Sequence, residues 1–443
     1  MAITRRIFLR QSTLSLVGVG ALPAWLARAA AAEPAQRKKI LVAIFQRGAA
    51  DGLNIVIPHA ERNYYPARPT IAIPRPAAGD PRAALDLDGF FGFHPALAPL
   101  KPLWDARHLA IIHAAGSPDP TRSHFDAQDY MESGTPGVKA TTSGWLNRVL
   151  RARCPDCEQG ARLAPAASGA PAWLGAGQSP LRAVAIDAQM PLSLRGPAPA
   201  VAIANLAAFR VGYGPAAAPA AQAFQAMYES SSDALLEPAG RDTFAALRIV
   251  RQLDPKKYRP ASGAHYPRQG LGASLRQIAQ LIKADVGVEV AYADVGGWDN
   301  HVAEGGAEGQ LAARLREFAG ALSAFWADLG DRAEDVVLVS MSEFGRTVRE
   351  NVTAGTDHGH ANVMFVLGGP VAGGKVYGRW PGLEPEQLYQ GRDLALTTDF
   401  RDVLAEVLTR HLSVAANDPA GLAAVFPGYA AEVKNFRGFL ARA

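Results

Sequence analysis

Asp357, His358 and His360, in the stretch GTDHGH, bring a carboxylate and two imidazoles together within four residues. Two histidines separated by one glycine can converge on a point, and neutral imidazole nitrogens with carboxylate oxygens are the donors that Zn²⁺ or a similar ion takes. The same residues also suit a turn capped by its aspartate and histidine. DVGGWDNH offers a second group. There an apolar run delivers Asp294, a glycine pair permits a sharp turn, and Asp299 and His301 share one side of an extended segment because they are two apart. The alternative is a surface turn with Trp298 packed beneath it.

Three further stretches collect polar residues: GAADGLN with Asp51, DPTRSHFDAQDY with Asp119, Ser123, His124, Asp126 and Asp129, and SMSEFGR with Ser342, Glu343 and Arg346. Four of the ten histidines fall in these five short stretches, which makes them the place to look for chemistry. Ser123 beside His124 is a weak basis for a serine and histidine pair, since adjacent residues seldom aim at each other and no G-x-S-x-G elbow is present. A metal-activated hydroxyl is the better-supported nucleophile. Arg346, Arg122 and Arg47 are the cations available to neutralise developing charge, although Glu343 and Arg346 also suit a pair of their own.

Buried strands are needed to position these stretches. Short apolar, β-branched runs predict them at Ile40–Phe45, Leu109–Gly116, Arg182–Asp187, Gly287–Gly297, Asp335–Gly345 and Asn362–Pro370. Between them lie helical patterns. Leu311, Leu315, Phe318, Leu322 and Phe325 recur at helical spacing, and TTDFRDVLAEVLTRHL gives another helix with Thr398 or Asp399 as its cap. Alternating strands and helices predict an α/β fold with a mainly parallel central sheet covered on both faces, and in such sheets working groups gather at the carboxyl ends of strands. Residues 154–219, rich in Ala, Pro and Gly, read as an irregular insertion in a single domain spanning residues 33–443.

The first 32 residues have the layout of a twin-arginine export signal: Arg5 and Arg6 before Phe8 and Leu9, an apolar stretch to Leu26, and small residues Ala30 to Ala32 for cleavage. The apolar stretch is shorter than the roughly 18 residues of a spanning helix, so no membrane span is expected after cleavage. The segment holds four arginines and no acid. Without it, the 45 basic and 41 acidic residues become 41 of each, and no charge excess remains to favour nucleic acid or an anionic surface. A periplasmic or secreted location follows, with the twin-arginine machinery as a partner. Cys154 and Cys157, in CPDC, read as a local disulfide or thiol pair.

Together, the twin-arginine start, RGAADGLNIVIP, FHPALAPL, RSHFDAQDYMESG, GWLNR, GGWDNH, SEFGRTVREN, GTDHGHANVMFVLGG and TTDFRDVLAEVL resemble the exported bacterial family known as domain of unknown function 1501. That family is in turn similar to the alkaline phosphatase and sulfatase superfamily. This second resemblance implies an alkaline phosphatase-like fold, with Asp51 as a metal ligand at the end of the first strand and Ser123 as the nucleophile opening a helix. It also implies ligation by Asp294, Asp299 and His301, and a last histidine, His358 or His360, ahead of a strand. Two departures stand out. Glu343-Phe344 occupies the place of an Asp-His pair, leaving Glu343 as the stand-in ligand, and one residue rather than three separates Asp299 from His301.

The expected activity is metal-dependent hydrolysis of a phosphate or sulfate ester, small-molecule or polysaccharide, with Zn²⁺ as the ion and Ca²⁺, Mg²⁺ or Mn²⁺ as alternatives. Asp51, Asp294, Asp299, His301, Glu343, Asp357, His358 and His360 form the expected ligand set, with Ser123 and Arg346 in catalysis. The competing expectation is a noncatalytic exported scaffold or binding protein that keeps the fold.

Overall fold

Six apolar runs become the strands that build the central sheet. The computed structural model describes residues 37–153, 179–211, 217–230, 236–414, 420–430 and 432–440. Its strands in chain order are β1 (Ile40–Gln46), β2 (Val56–Ile57), β3 (Leu85–Asp86), β4 (Gly92–Phe93), β5 (Leu109–Gly116) and β6 (Ala183–Ala185). They are followed by β7 (Val201–Ala202), β8 (Val290–Val295), β9 (Val336–Ser342), β10 (Asn362–Gly368), β11 (Lys375–Tyr377) and β12 (Thr398–Asp399). A nine-stranded sheet runs β11-β5-β10-β9-β1-β8-β6-β7, with β12 also paired to β5, while β2, β4 and β3 make a small separate sheet. Residues Lys39–Ala443 form one compact unit.

Strand direction matters most for the site. β1 pairs in parallel with β8 and β9, whereas β10 runs antiparallel to both β5 and β9. The sheet is therefore mixed, though mostly parallel. Because β10 is reversed, its amino end lies on the same edge as the carboxyl ends of β1, β5, β8 and β9. All five polar stretches consequently open onto one edge of the sheet.

Alternating residues of β1 feed two cores, as strand geometry requires. Ile40, Val42 and Ile44 pack with α5 (Gly270–Lys283) and α6 (Gln310–Leu329), through Leu275, Ile278, Leu315, Phe318 and Leu322. Leu41, Ala43 and Phe45 face α2 (Trp145–Ala152) and α7 (Phe400–Arg410), through Trp145, Val149, Val403 and Val407. Helices thus cover both faces. Among the described residues, the remaining helices of eight residues or more are α1 (His124–Ser133), α3 (Ala217–Glu229) and α4 (Leu236–Leu253). Asp399 caps α7 by accepting from the Arg401 amide at 2.8 Å.

Within the expected insertion, residues 179–211 carry β6 and β7 and extend the central sheet at its edge. Residues 154–178 with both cysteines, and the twin-arginine stretch, lie outside the described residues. Among the described residues no helix is long and apolar enough to cross a membrane.

Candidate metal centre

Three imidazoles meet at the sheet edge. His124 opens α1 beyond β5, His301 follows β8, and His358 precedes β10. The Nδ1 of each is engaged by an oxygen: Glu343 Oε1 for His124 at 2.9 Å, Asp357 Oδ1 for His301 at 3.0 Å, and the Arg122 carbonyl for His358 at 2.8 Å. These oxygens only accept, so each neutral ring carries its proton on Nδ1 and turns an Nε2 lone pair inward.

The three Nε2 atoms surround one carboxylate. Asp299 Oδ1 lies 3.0 Å from His301 Nε2 and 3.3 Å from His358 Nε2, and Asp299 Oδ2 lies 3.5 Å from His124 Nε2. His301 Nε2 and His358 Nε2 stand 2.9 Å apart. His124, Asp299 and His358 each offer a ligand atom within 4.8 Å of the others. Ligands at about 2.0–2.1 Å in tetrahedral geometry sit roughly 3.3 Å from one another, so these atoms stand close enough together to share an ion. His124 Nε2 is buried and has no hydrogen-bond partner among the described residues, as a donor atom awaiting an ion would be. Nitrogen and carboxylate donors of this kind suit Zn²⁺ or a related ion.

Electrostatics act differently on the two rings. The hydrogen bond that His124 donates to Glu343, with the carboxylate's charge, holds the His124 imidazole above its usual range and favours its protonated form until an ion displaces the Nε2 proton, whereas burial pushes His358 down toward the neutral form. Burial works against the charge on Asp299, but the Arg346 bond and charge outweigh it and hold the carboxyl low. The Asp357 carboxyl is likewise held low, chiefly by its bond to His301.

Glu343 is fully buried and accepts from the Gly48 amide and from Gln128 Nε2, both at 2.8 Å, as well as from His124. It therefore orients a histidine rather than facing the cluster as a ligand, an arrangement common around metal-binding imidazoles. Arg346, also buried, donates to the carbonyls of Ala49, Thr356, Gly48 and Trp298 and to Asp299 Oδ1. It braces the loops of β1, β8 and β9, and its Nη1 also lies 3.4 Å from His301 Nε2.

Most of the remaining expected site residues are engaged elsewhere. Asp51 is buried in a two-pronged pair with Arg68, whose Nη2 meets Oδ1 at 2.9 Å, and this closes the carboxylate to an ion. Asp294 Oδ2 accepts from Arg47 Nε at 2.6 Å. His360 is buried with its ring stacked on Tyr389 at 4.2 Å. Ser123 occupies the N-cap position of α1 without a side-chain capping bond, and its amide donates to Thr121 Oγ1 at 3.2 Å. Arg122 is tied to Asp393 and Gln390, and Arg47 to Asp294, Gln128, Glu132 and Tyr292.

Sequence reasoning named His124 as a polar residue at a strand end but left it out of the ligand set. The available clue was its position opening a helix just past β5, one turn before Gln128. Arg68 and Glu304, which close Asp51 off, carry no local signal.

A mixed α/β sheet with a histidine and carboxylate cluster on one edge defines the class of protein. The chain belongs to the family described as Protein of unknown function (DUF1501), whose model matches residues 107–425. Comparison with curated proteins finds no match. Comparison with solved structures finds none either.

Proposed function

We propose that this chain is an exported metal-dependent hydrolase of a phosphate or sulfate ester, a divergent relative of the alkaline phosphatase and sulfatase superfamily. One observation carries the reading: three imidazoles pinned at Nδ1 by oxygen acceptors turn three Nε2 atoms onto Asp299. Converging lone pairs without a cation repel, and a divalent ion relieves that repulsion. When bound there, the ion polarises an ester oxygen and makes a bound water or hydroxyl nucleophilic near neutral pH.

The chain's own residues do the rest. Glu343, Asp357 and the Arg122 carbonyl fix ring orientation, while Arg346 holds Asp299 ionised and in place. Ser123, adjacent to His124 at the amino end of α1, supplies a hydroxyl where helix N–H groups favour an anion. The noncatalytic reading draws support from one fact: Arg47, Arg122 and Arg346 are all committed to protein acceptors, so none of the three is spare for ester oxygens.

Metal analysis of the purified chain tests the proposal. About one equivalent of Zn, Mn, Ca or Mg is expected, falling to background in His124→Ala/His358→Ala, together with turnover of nitrophenyl phosphate or sulfate by the loaded protein. Metal-free protein with a melting temperature indifferent to chelator would overturn the metal reading. Bound metal without turnover of any ester would favour the scaffold.

A further inference from the structure

A second cavity, sharing no residue with the histidine cluster, lies between α5, the turn at Leu206–Ala208 and the loop of residues 254–268. Its volume is about 710 Å³, within the roughly 300–1,000 Å³ of small-molecule sites. None of its described lining residues is acidic, yet Lys256, Arg268 and Arg276 all contribute to it. All three are exposed, and none pairs with a carboxylate among the described residues; Arg276 donates only to the Tyr258 carbonyl, at 3.2 Å.

The inner wall is polar and incompletely satisfied. Gln280 is only 6% exposed, lines the cavity, and its side-chain amide makes no hydrogen bond among the described residues. With no such partner, the amide opens to the cavity and is available to hydrogen-bond a ligand there. Beside it, Gln277 is engaged at both ends of its amide, accepting from the Leu206 amide at 2.7 Å and donating to the Ala273 carbonyl at 3.2 Å. Proline rings and the Tyr266 side chain add flat apolar surface to the lining.

The cavity is preformed. Buried Asp328 on α6 accepts from Tyr258 Oη at 2.7 Å, Tyr266 Oη at 3.0 Å, the Ala261 amide at 2.8 Å and Lys283 Nζ at 2.7 Å. Four bonds to one carboxylate tie the loop to α5 and α6, so little ordering cost is left for binding.

We propose that this cavity binds an acidic sugar: its cations take the acid group, Gln280 takes ring hydroxyls, and Tyr266 with the prolines packs against the ring. The acid is a carboxylate or a phosphate, and the test separates these two sources. Calorimetry on the full chain at low salt would compare trigalacturonate, glucose 6-phosphate and neutral maltotriose. Binding of at least one acidic sugar is expected, with maltotriose at least tenfold weaker. Arg268→Glu and Gln280→Leu should each weaken it about tenfold, and Gln280→Leu should leave the ligand-free melting temperature unchanged or raised, because the amide it removes holds no partner among the described residues. No binding of either acidic sugar, equal binding of maltotriose, or affinities untouched in both variants would each overturn the proposal. Because the cavity shares no residue with the histidine cluster, His124→Ala/His358→Ala should bind the sugar unchanged.

Discussion

Asp51 shows how far a single residue's role depends on partners distant in the chain. Its carboxylate is held ionised against burial by Arg68, and Glu304, pushed well up by burial and by Asp51's charge, carries a proton beside it. Thr356 Oγ1 donates to Glu304 Oε2 at 2.7 Å. Arg68→Met strands a buried carboxylate and should cost about 3–5 kcal/mol in urea unfolding, whereas the Asp51→Asn/Arg68→Met double variant should recover much of that loss. A double variant no more stable than Arg68→Met would show that the pair is not closed as described. At the cluster, His358→Ala should abolish metal binding and His360→Ala should spare it. Glu343→Gln, which leaves the ligands intact but alters how His124 is held, should lower metal affinity about 10- to 100-fold, read by competition with a chelating dye. From sequence, GTDHGH and DNH marked three of the four converging residues, because close spacing is visible in one dimension. Asp51 read as a ligand because Arg68 is seventeen residues away, and nothing local links the two.

At the scale of elements, a short ladder places His358. Thr347 donates to the Asp357 carbonyl at 2.9 Å, Gly359 to Gly345 at 2.8 Å, and Gly345 to His360 at 2.8 Å. The loops after β9 and before β10 therefore zip together. Both glycines are required by close approach: a Cβ on Gly359 would lie 2.3 Å from the Arg346 carbonyl carbon, and one on Gly345 would lie 2.0 Å from the Ala361 oxygen. Gly359→Ala should cost about 1–3 kcal/mol by overpacking and weaken metal retention by shifting His358; normal stability with full metal content would show that the ladder tolerates opening. Gly48 serves the same end beside β1. Its φ is +117°, and a Cβ there would lie 2.7 Å from the Asp299 amide, so the small residues of RGAADG make room for the Asp299 loop. Strand positions were legible because apolar runs of β-branched residues mark buried strands, and Leu109–Gly116 matches its predicted bounds. The reversal of β10 was not, since a buried strand has the same composition in either direction. That reversal is what brings GTDHGH to the edge where the other four stretches end.

Across the whole molecule, stability should depend on pH through buried histidines remote from the cluster. Burial pushes His94, His113 and His411 down to about 4, from 6.5. Burial is what keeps each neutral: His113 Nδ1 accepts from the Ala114 amide at 2.9 Å and His94 Nδ1 from the Ala96 amide at 3.0 Å, while the donation from His411 Nε2 to the Ile40 carbonyl at 2.9 Å favours the charged form and is outweighed by burial. Between about pH 6.5 and 4 the unfolded chain therefore binds protons that the folded chain refuses. Their contribution is complete above pH 6.5 and is lost as pH falls through that window, at about 1.4 kcal/mol per pH unit for each histidine. His358 and His360 act in the same direction, while His124 and Glu304, both raised, oppose it. Because these terms partly cancel, a difference between variants is the cleaner measurement. His411→Gln keeps an amide donor for Ile40 but cannot titrate, so the slope of unfolding free energy against pH between 6 and 4.5 should flatten by about 1.4 kcal/mol per unit. Parallel slopes for the variant and the parent would mean that His411 takes up its proton in the folded protein, and that burial does not keep it neutral.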